Sequence, residues 1–171
     1  EQALSSVSKH GFTRNDIRNV VAMTKDSGIN VLGNFILGLP DEDLAAMEET
    51  LAFAIELNCE YTNFYAMMAY PGSQLYEEAL RDNVRLPETW RGYSAFSSEC
   101  IPLPTKYLSS EEVLAFRDKA FIEFHSNPKY LALIEKKFGR RVSQHVKGML
   151  EHKIERHILS SSKKGAGYDH K

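Results

Sequence analysis

Gly33-Asn34-Phe35-Ile36-Leu37-Gly38-Leu39-Pro40-Asp41-Glu42 is the stretch whose reading decides the fold. The mostly apolar run from Ile29 to Leu37 predicts a strand covered on both faces. Gly38 and Pro40 predict a turn at its end. A second strand-like run, Tyr61 to Met68, stops at another turn, Tyr70-Pro71-Gly72-Ser73. Two strands that each end in a Gly/Pro turn before a helix predict consecutive βα units of a parallel sheet or barrel. Ligands of such folds meet the carboxyl ends of the strands. A site is therefore expected at Gly38–Glu42 and Tyr65–Ser73.

On a period of two, Asn34 shares a face with Leu32, Ile36 and Gly38, while Phe35 and Leu37 point the other way. In the second strand Asn63, Tyr65 and Met67 share one face, and Thr62, Phe64, Ala66 and Met68 the other. A polar Asn34 inside an apolar run needs a partner. Either it reaches a ligand or water inside a barrel, or it is a satisfied structural asparagine. Pro40 to Asp43 reads as a helix start, where Asp41, Glu42 and Asp43 suit the positive end of the dipole. Glu42 then either steadies that helix or shapes a pocket. Leu44, Met47, Leu51, Ala54, Ile55 and Leu57 form the buried stripe of the helix. Tyr70 either faces a substrate or packs its own turn.

Outward from this centre, Glu1 to Phe12 predicts a short helical turn. Thr13 and Asp16 mark a helix start, and Ser27-Gly28 a stop. Ser73 can cap a helix running to about Arg81. Asn83 to Leu108 is irregular and contains Pro87, Pro102 and Pro104, with Trp90, Tyr93, Phe96 and Tyr107. A stretch of this kind is either functional or a covering arm. Ser109-Ser110-Glu111-Glu112 is a capping box. Asn127-Pro128 breaks the helix after it, and Gly139 ends the next. Val142 to Leu159 predicts a further helix, and Ser160 to Lys171, rich in Ser, Lys and Gly, a disordered tail.

The chain has 171 residues, 43% hydrophobic and 26% charged, which is ordinary for a soluble globular protein. A net charge of −2 gives no electrostatic basis for nucleic-acid binding. No apolar run approaches the roughly 20 residues of a membrane span. The two cysteines, Cys59 and Cys100, lack metal-ligand spacing and are expected to be free thiols of a cytoplasmic protein. His145 and His152 lie seven residues apart, too far for one metal. Glu1 is not an initiator Met, and no signal-peptide pattern follows it. That suggests a piece of a longer chain.

Lys25-Asp26-Ser27-Gly28-Ile29-Asn30-Val31, then Gly33 to Glu42, then Tyr70-Pro71-Gly72-Ser73 resembles the carboxyl half of a radical S-adenosylmethionine (SAM) enzyme. The resemblance is strongest to the class associated with a cobalamin-binding domain, through its "G-x-F-I-x-G-L-P-x-E" strand end and later "Y-P-G-T/S". It implies an α/β fold: the carboxyl-terminal βα units of a partial (β/α)6 barrel over residues 1–82, with the two strands as its fifth and sixth. An aromatic arm and helical extension would fill residues 83–159, and the tail 160–171. It implies SAM held by Asn34, Ile36, Gly38, Glu42, Tyr65 and Met67, with Ile36 and the Gly38 backbone against the adenine. Tyr70, Pro71 and Gly72 would border a small-molecule substrate. The family's C-x-x-x-C-x-x-C motif, which holds a [4Fe–4S] cluster, is absent here, so the cluster would belong to an N-terminal half of the same enzyme. In the family that cluster cleaves SAM to a radical that abstracts hydrogen, and the class includes methyltransferases and cyclases. The alternative from a different class is a non-catalytic α/β ligand-binding or protein-interaction module.

Overall fold

The computed structural model describes residues 12–164, with side chains described as far as residue 160. The helical turn expected for Glu1 to Gly11 lies outside the described residues. The first described helix, α1 (Arg14–Asp26), starts on a complete capping box between Thr13 and Asp16. It buries none of its residues. Charge and rings hold it instead. Arg14 pairs with Glu49 at 2.7 Å, Arg18 pairs with Glu56, and both guanidinium groups lie over the Phe53 ring. Lys25 Nζ donates to the carbonyls of Leu57 and Asn58, where a cation suits a helix C-terminus.

Strand β1 (Leu32–Leu37), helix α2 (Leu44–Leu57) and strand β2 (Tyr61–Ala66) follow. The strands pair in parallel, Leu32 opposite Tyr61 and Leu37 opposite Ala66. The βα expectation holds at this level. Among the described residues the sheet has two strands and does not close, so the barrel implied by the resemblance is not formed here. Burial on both faces of β1 is also overturned. Leu37 is buried, whereas Leu32, Asn34 and Ile36 stand exposed. An apolar run signals a covered strand only when layers exist on both sides, and here α2 and a later helix cover one side.

The start of α2 also differs from expectation. Asp43 is the N-cap, accepting from Ala46 N–H at 2.8 Å, so Pro40 to Asp43 precedes the helix and Leu44 stands exposed. A short aspartate reaches the third helical N–H, which makes it the better cap. Met47, Leu51 and Ala54 form the buried stripe.

Ser73 caps α3 (Gln74–Arg81). The irregular stretch beyond it contains a 3-10 turn at Trp90–Tyr93. It runs along the carboxyl ends of both strands: Leu103 N–H donates to the Met67 carbonyl and Lys106 N–H to the Pro40 carbonyl. The Ser109 capping box opens α4 (Ser110–His125), which packs Phe116, Ala120 and Phe124 onto Leu37 and Phe64. Helices α5 (Pro128–Phe138) and α6 (Arg140–Met149) add Tyr130, Ile134 and Val146 to the same core. Glu60, fully buried in the β2 approach, pairs with Lys137 of α5 and accepts from Val31 N–H.

The single helix expected from Val142 to Leu159 is two. After α6 the chain turns and re-enters a helix at α7 (His157–Lys164). Arg156 fixes that turn through Asp118, Ser97 and Ala95. Residues 157–164 are helical, so the first five residues of the tail expected from Ser160 to Lys171 continue a helix. Residues 165–171 lie outside the described residues. No described helix is long and apolar enough to cross a membrane.

Candidate functional site

The uncovered face of the sheet is built from three cross-strand rungs. Leu32 stands opposite Tyr61, Asn34 opposite Asn63, and Ile36 opposite Tyr65. The side-chain period of two puts all six on the side away from α2 and α4. Asn63 Nδ2 donates to Asn34 Oδ1 at 3.0 Å, so the polar residue in the apolar run does have a partner, across the strand. Ile36 is 46% exposed and Tyr65 37% exposed. The rung nearest the carboxyl ends thus offers an aliphatic side chain beside a phenol ring. The asparagine pair lies one rung below. Such a surface can cover a flat apolar ligand and supply amide donors or acceptors at its edge.

Gly38 and Glu42 behave differently. Gly38 is buried with φ of +80°, and a Cβ built on it would lie 2.5 Å from Val113 Cγ1. The glycine is therefore required by its left-handed conformation and by α4. Its N–H and that of Leu39 both donate to Glu42 Oε2, at 2.9 and 3.0 Å. Glu42 is 4% exposed. It turns back to the strand end rather than steadying the helix start. Burial pushes its carboxyl above the ordinary range, the two N–H donors oppose this, and Asp43 adds to the rise. Gly38 and Glu42 shape the turn from beneath and do not present side chains on the open face.

Met67 is half-buried against Leu103 and Ala69. Tyr70, Pro71 and Gly72 are exposed at the following turn. The Tyr70 ring stacks on Tyr93 with centroids 5.8 Å apart, and Trp90 lies against Tyr93. The structure therefore gathers Asn34, Ile36 and Tyr65 on one surface. It sets Gly38 and Glu42 under that surface's end, and Tyr70 to Gly72 beyond it.

Neither cysteine fits an iron–sulfur cluster. Both are free and buried. Cys59 lies near Gly33, and Cys100 packs with Met68, Leu114 and Ile158. Burial pushes both thiols up, away from the thiolate that a cluster needs. Among the described residues no three His, Cys, Asp or Glu side chains converge on one point.

Sequence reading did not single out Arg117, Asp118 and Arg156. Arg117 Nε donates to the Phe64 carbonyl at 2.8 Å and Nη1 to Asp118. Arg156 spans Asp118 with two bonds. The available signal was Arg117 lying on the α4 stripe between Val113 and Ala120, where an arginine needs a buried partner.

No family model matches the sequence. The chain is 32% identical over 141 residues to a Pyrococcus horikoshii protein named uncharacterized methyltransferase PH0819. The match covers 82% of this chain and 30% of that relative. The chain thus has a methyltransferase homologue, of whose length it spans under one third.

Proposed function

We propose that this chain is the SAM-binding and substrate-covering half of a radical SAM enzyme, with methyl transfer as the reaction outcome. The observation that carries the reading is the open Ile36–Tyr65 rung at the carboxyl end of a parallel strand pair. An exposed aliphatic side chain beside a phenol ring supports a flat apolar ring such as adenine as the ligand. The methyltransferase homologue agrees with SAM as the ligand.

In this reading Ile36 and Tyr65 cover the adenine faces, and the Asn34–Asn63 pair meets its polar edge. Gly38, Glu42 and Met67 hold the strand ends in place. Tyr70, Pro71 and Gly72 close the substrate side and help exclude water. The partial barrel, the cluster-holding N-terminal half and any cobalamin belong to the rest of the enzyme, as does the reductive cleavage of SAM. This chain's share is binding, orientation and shielding.

The test is isothermal titration of SAM into the full-length protein. Ile36→Asp places a charge where apolar cover is needed and should abolish or strongly weaken binding. Leu37→Ala, on the buried face, should cost roughly 2–5 kcal/mol of stability and keep SAM affinity. Unchanged SAM binding in Ile36→Asp would sink the proposal. The second reading is a non-catalytic ligand-binding or protein-interaction module, which would need only the exposed sheet face. It predicts no iron–sulfur absorption from the full-length protein after anaerobic reconstitution.

A further inference from the structure

The face of α4 turned away from the core carries a groove of its own. It lies between α4 and residues 149–159 and encloses about 510 Å³, within the range of small-molecule pockets. Its apolar walls include Phe121, Ile122, Met149, Leu150, Ile154 and Leu159. Ile122 is 43% exposed and Ile154 38%, unusual for aliphatic side chains that line a concavity.

Charge gives the groove its selectivity. Its lining includes three cationic side chains, Arg117, Lys119 and Lys153, against one carboxylate, Asp118. That carboxylate is already occupied by two bonds from Arg156, at 2.8 and 2.7 Å, and one from Arg117 at 3.0 Å. A cationic ligand would find no uncommitted acid among the lining side chains. Arg117 is buried and held over the Phe96 and Phe121 rings, at 5.4 and 5.6 Å to their centroids. Its charge is therefore fixed beside the apolar wall. Lys119 and Lys153 are exposed, with the Lys119 ammonium over the Phe116 ring at 5.3 Å to its centroid. Apolar walls under a cationic rim suit a ligand with an apolar body and one anionic head.

We propose that this groove binds a small amphipathic anion, an apolar chain or ring bearing one carboxylate or phosphate, at a site separate from the open sheet face. The ligand's body lies between Ile122 and Ile154, and its head meets Lys153 and Lys119.

The experiment uses the full-length protein and a set of probes with one tail: octanoate, octyl phosphate, octanol and octylammonium, each below its micellar concentration. Titration calorimetry should show saturable one-to-one binding of octanoate or octyl phosphate. The tighter of the two identifies the head. Octanol should bind more weakly, and octylammonium more weakly still. Ile122→Asp alters an exposed position, so the fold is kept, as a thermal melt will check; it should weaken the anionic probe more than about tenfold. Lys153→Glu should weaken it roughly two- to fivefold and leave octanol unchanged. Both variants should bind SAM like the parent, so the two sites are tested separately. Failure of both anions to saturate, octylammonium binding as tightly as they do, or anion binding untouched by both variants would overturn the assignment.

Discussion

Val113 of α4 sits directly on Gly38 at the end of β1: a Cβ on that glycine would fall 2.5 Å from Val113 Cγ1. The contact joins the helical layer to the strand-end turn, and it explains why a glycine stands there. At +80° its φ is one that side-chain-bearing residues rarely adopt.

Gly38→Ala should therefore destabilise the protein by about 1–3 kcal/mol, through backbone strain and overpacking together. Val113→Ala in the same chain should relieve only the steric part. A double-mutant cycle in urea separates the two, because residues in contact show coupling and the φ cost remains. Strict additivity would show that the two side chains do not meet.

Glu42 lies one step further along the same turn. Glu42→Ala strips the acceptor from two buried N–H groups, at a cost of roughly 1–3 kcal/mol for each group left unsatisfied. Glu42→Gln keeps an acceptor. The carboxyl is raised above 4.5 by burial, so the folded state binds its proton more tightly than the unfolded chain does. That contribution to stability is full below pH 4.5 and is lost as pH rises through the folded value. The parent should lose stability over that window relative to Glu42→Gln, as denaturation at a series of pH values would reveal. Parallel pH profiles for the two proteins would refute it.

Arg156 secures the far side of the molecule. It is 4% exposed and binds Asp118 through two nitrogens while donating to the Ser97 and Ala95 carbonyls. Arg156→Met leaves Asp118 with Arg117 as its remaining partner and strips the Ser97 and Ala95 carbonyls of their donor, so it should cost about 1–3 kcal/mol. Arg156→Lys should not restore the loss, because an ammonium cannot reproduce the planar fork. Chemical denaturation of both variants checks this. Full rescue by lysine would mean that the charge alone matters.

Local signals were the legible part of this chain. Thr13 with Asp16, Ser73, Ser109 with Glu112, and Asn127-Pro128 each begin a helix where the sequence places one, because a cap is decided within four residues. The parallel pairing followed from strand–turn–helix order, and the face shared by Asn34 and Ile36 from the period of two. Which face would be covered was not legible, since that depends on layers far along the chain. The direction of Glu42 was hidden for a related reason. An acid before a helix reads as a dipole partner until the Gly38 and Leu39 N–H groups that donate to it are seen. Arg156 meets Asp118 across 38 residues, and no local pattern announces such a pair.

His125 gives a pH-dependent prediction of opposite sign. It ends α4 among the rings of Phe121, Phe124 and Tyr130, and its Nδ1 donates to the Phe121 carbonyl at 2.8 Å. Burial lowers its pKa below 6.5; the Phe121 bond opposes the shift and the nearby Arg117 charge reinforces it. The folded state therefore holds the ring neutral while the unfolded chain protonates near 6.5. The ring's contribution is complete above that pH and is lost as pH falls from 6.5 toward the lower folded value. His125→Phe keeps an aromatic ring in the cluster and removes the titration. Its stability should be flatter than the parent's below pH 6.5, while the two run parallel above it. Urea midpoints measured between pH 5 and 8 decide the matter: an equally steep acid loss in the phenylalanine variant would place the sensitive group elsewhere.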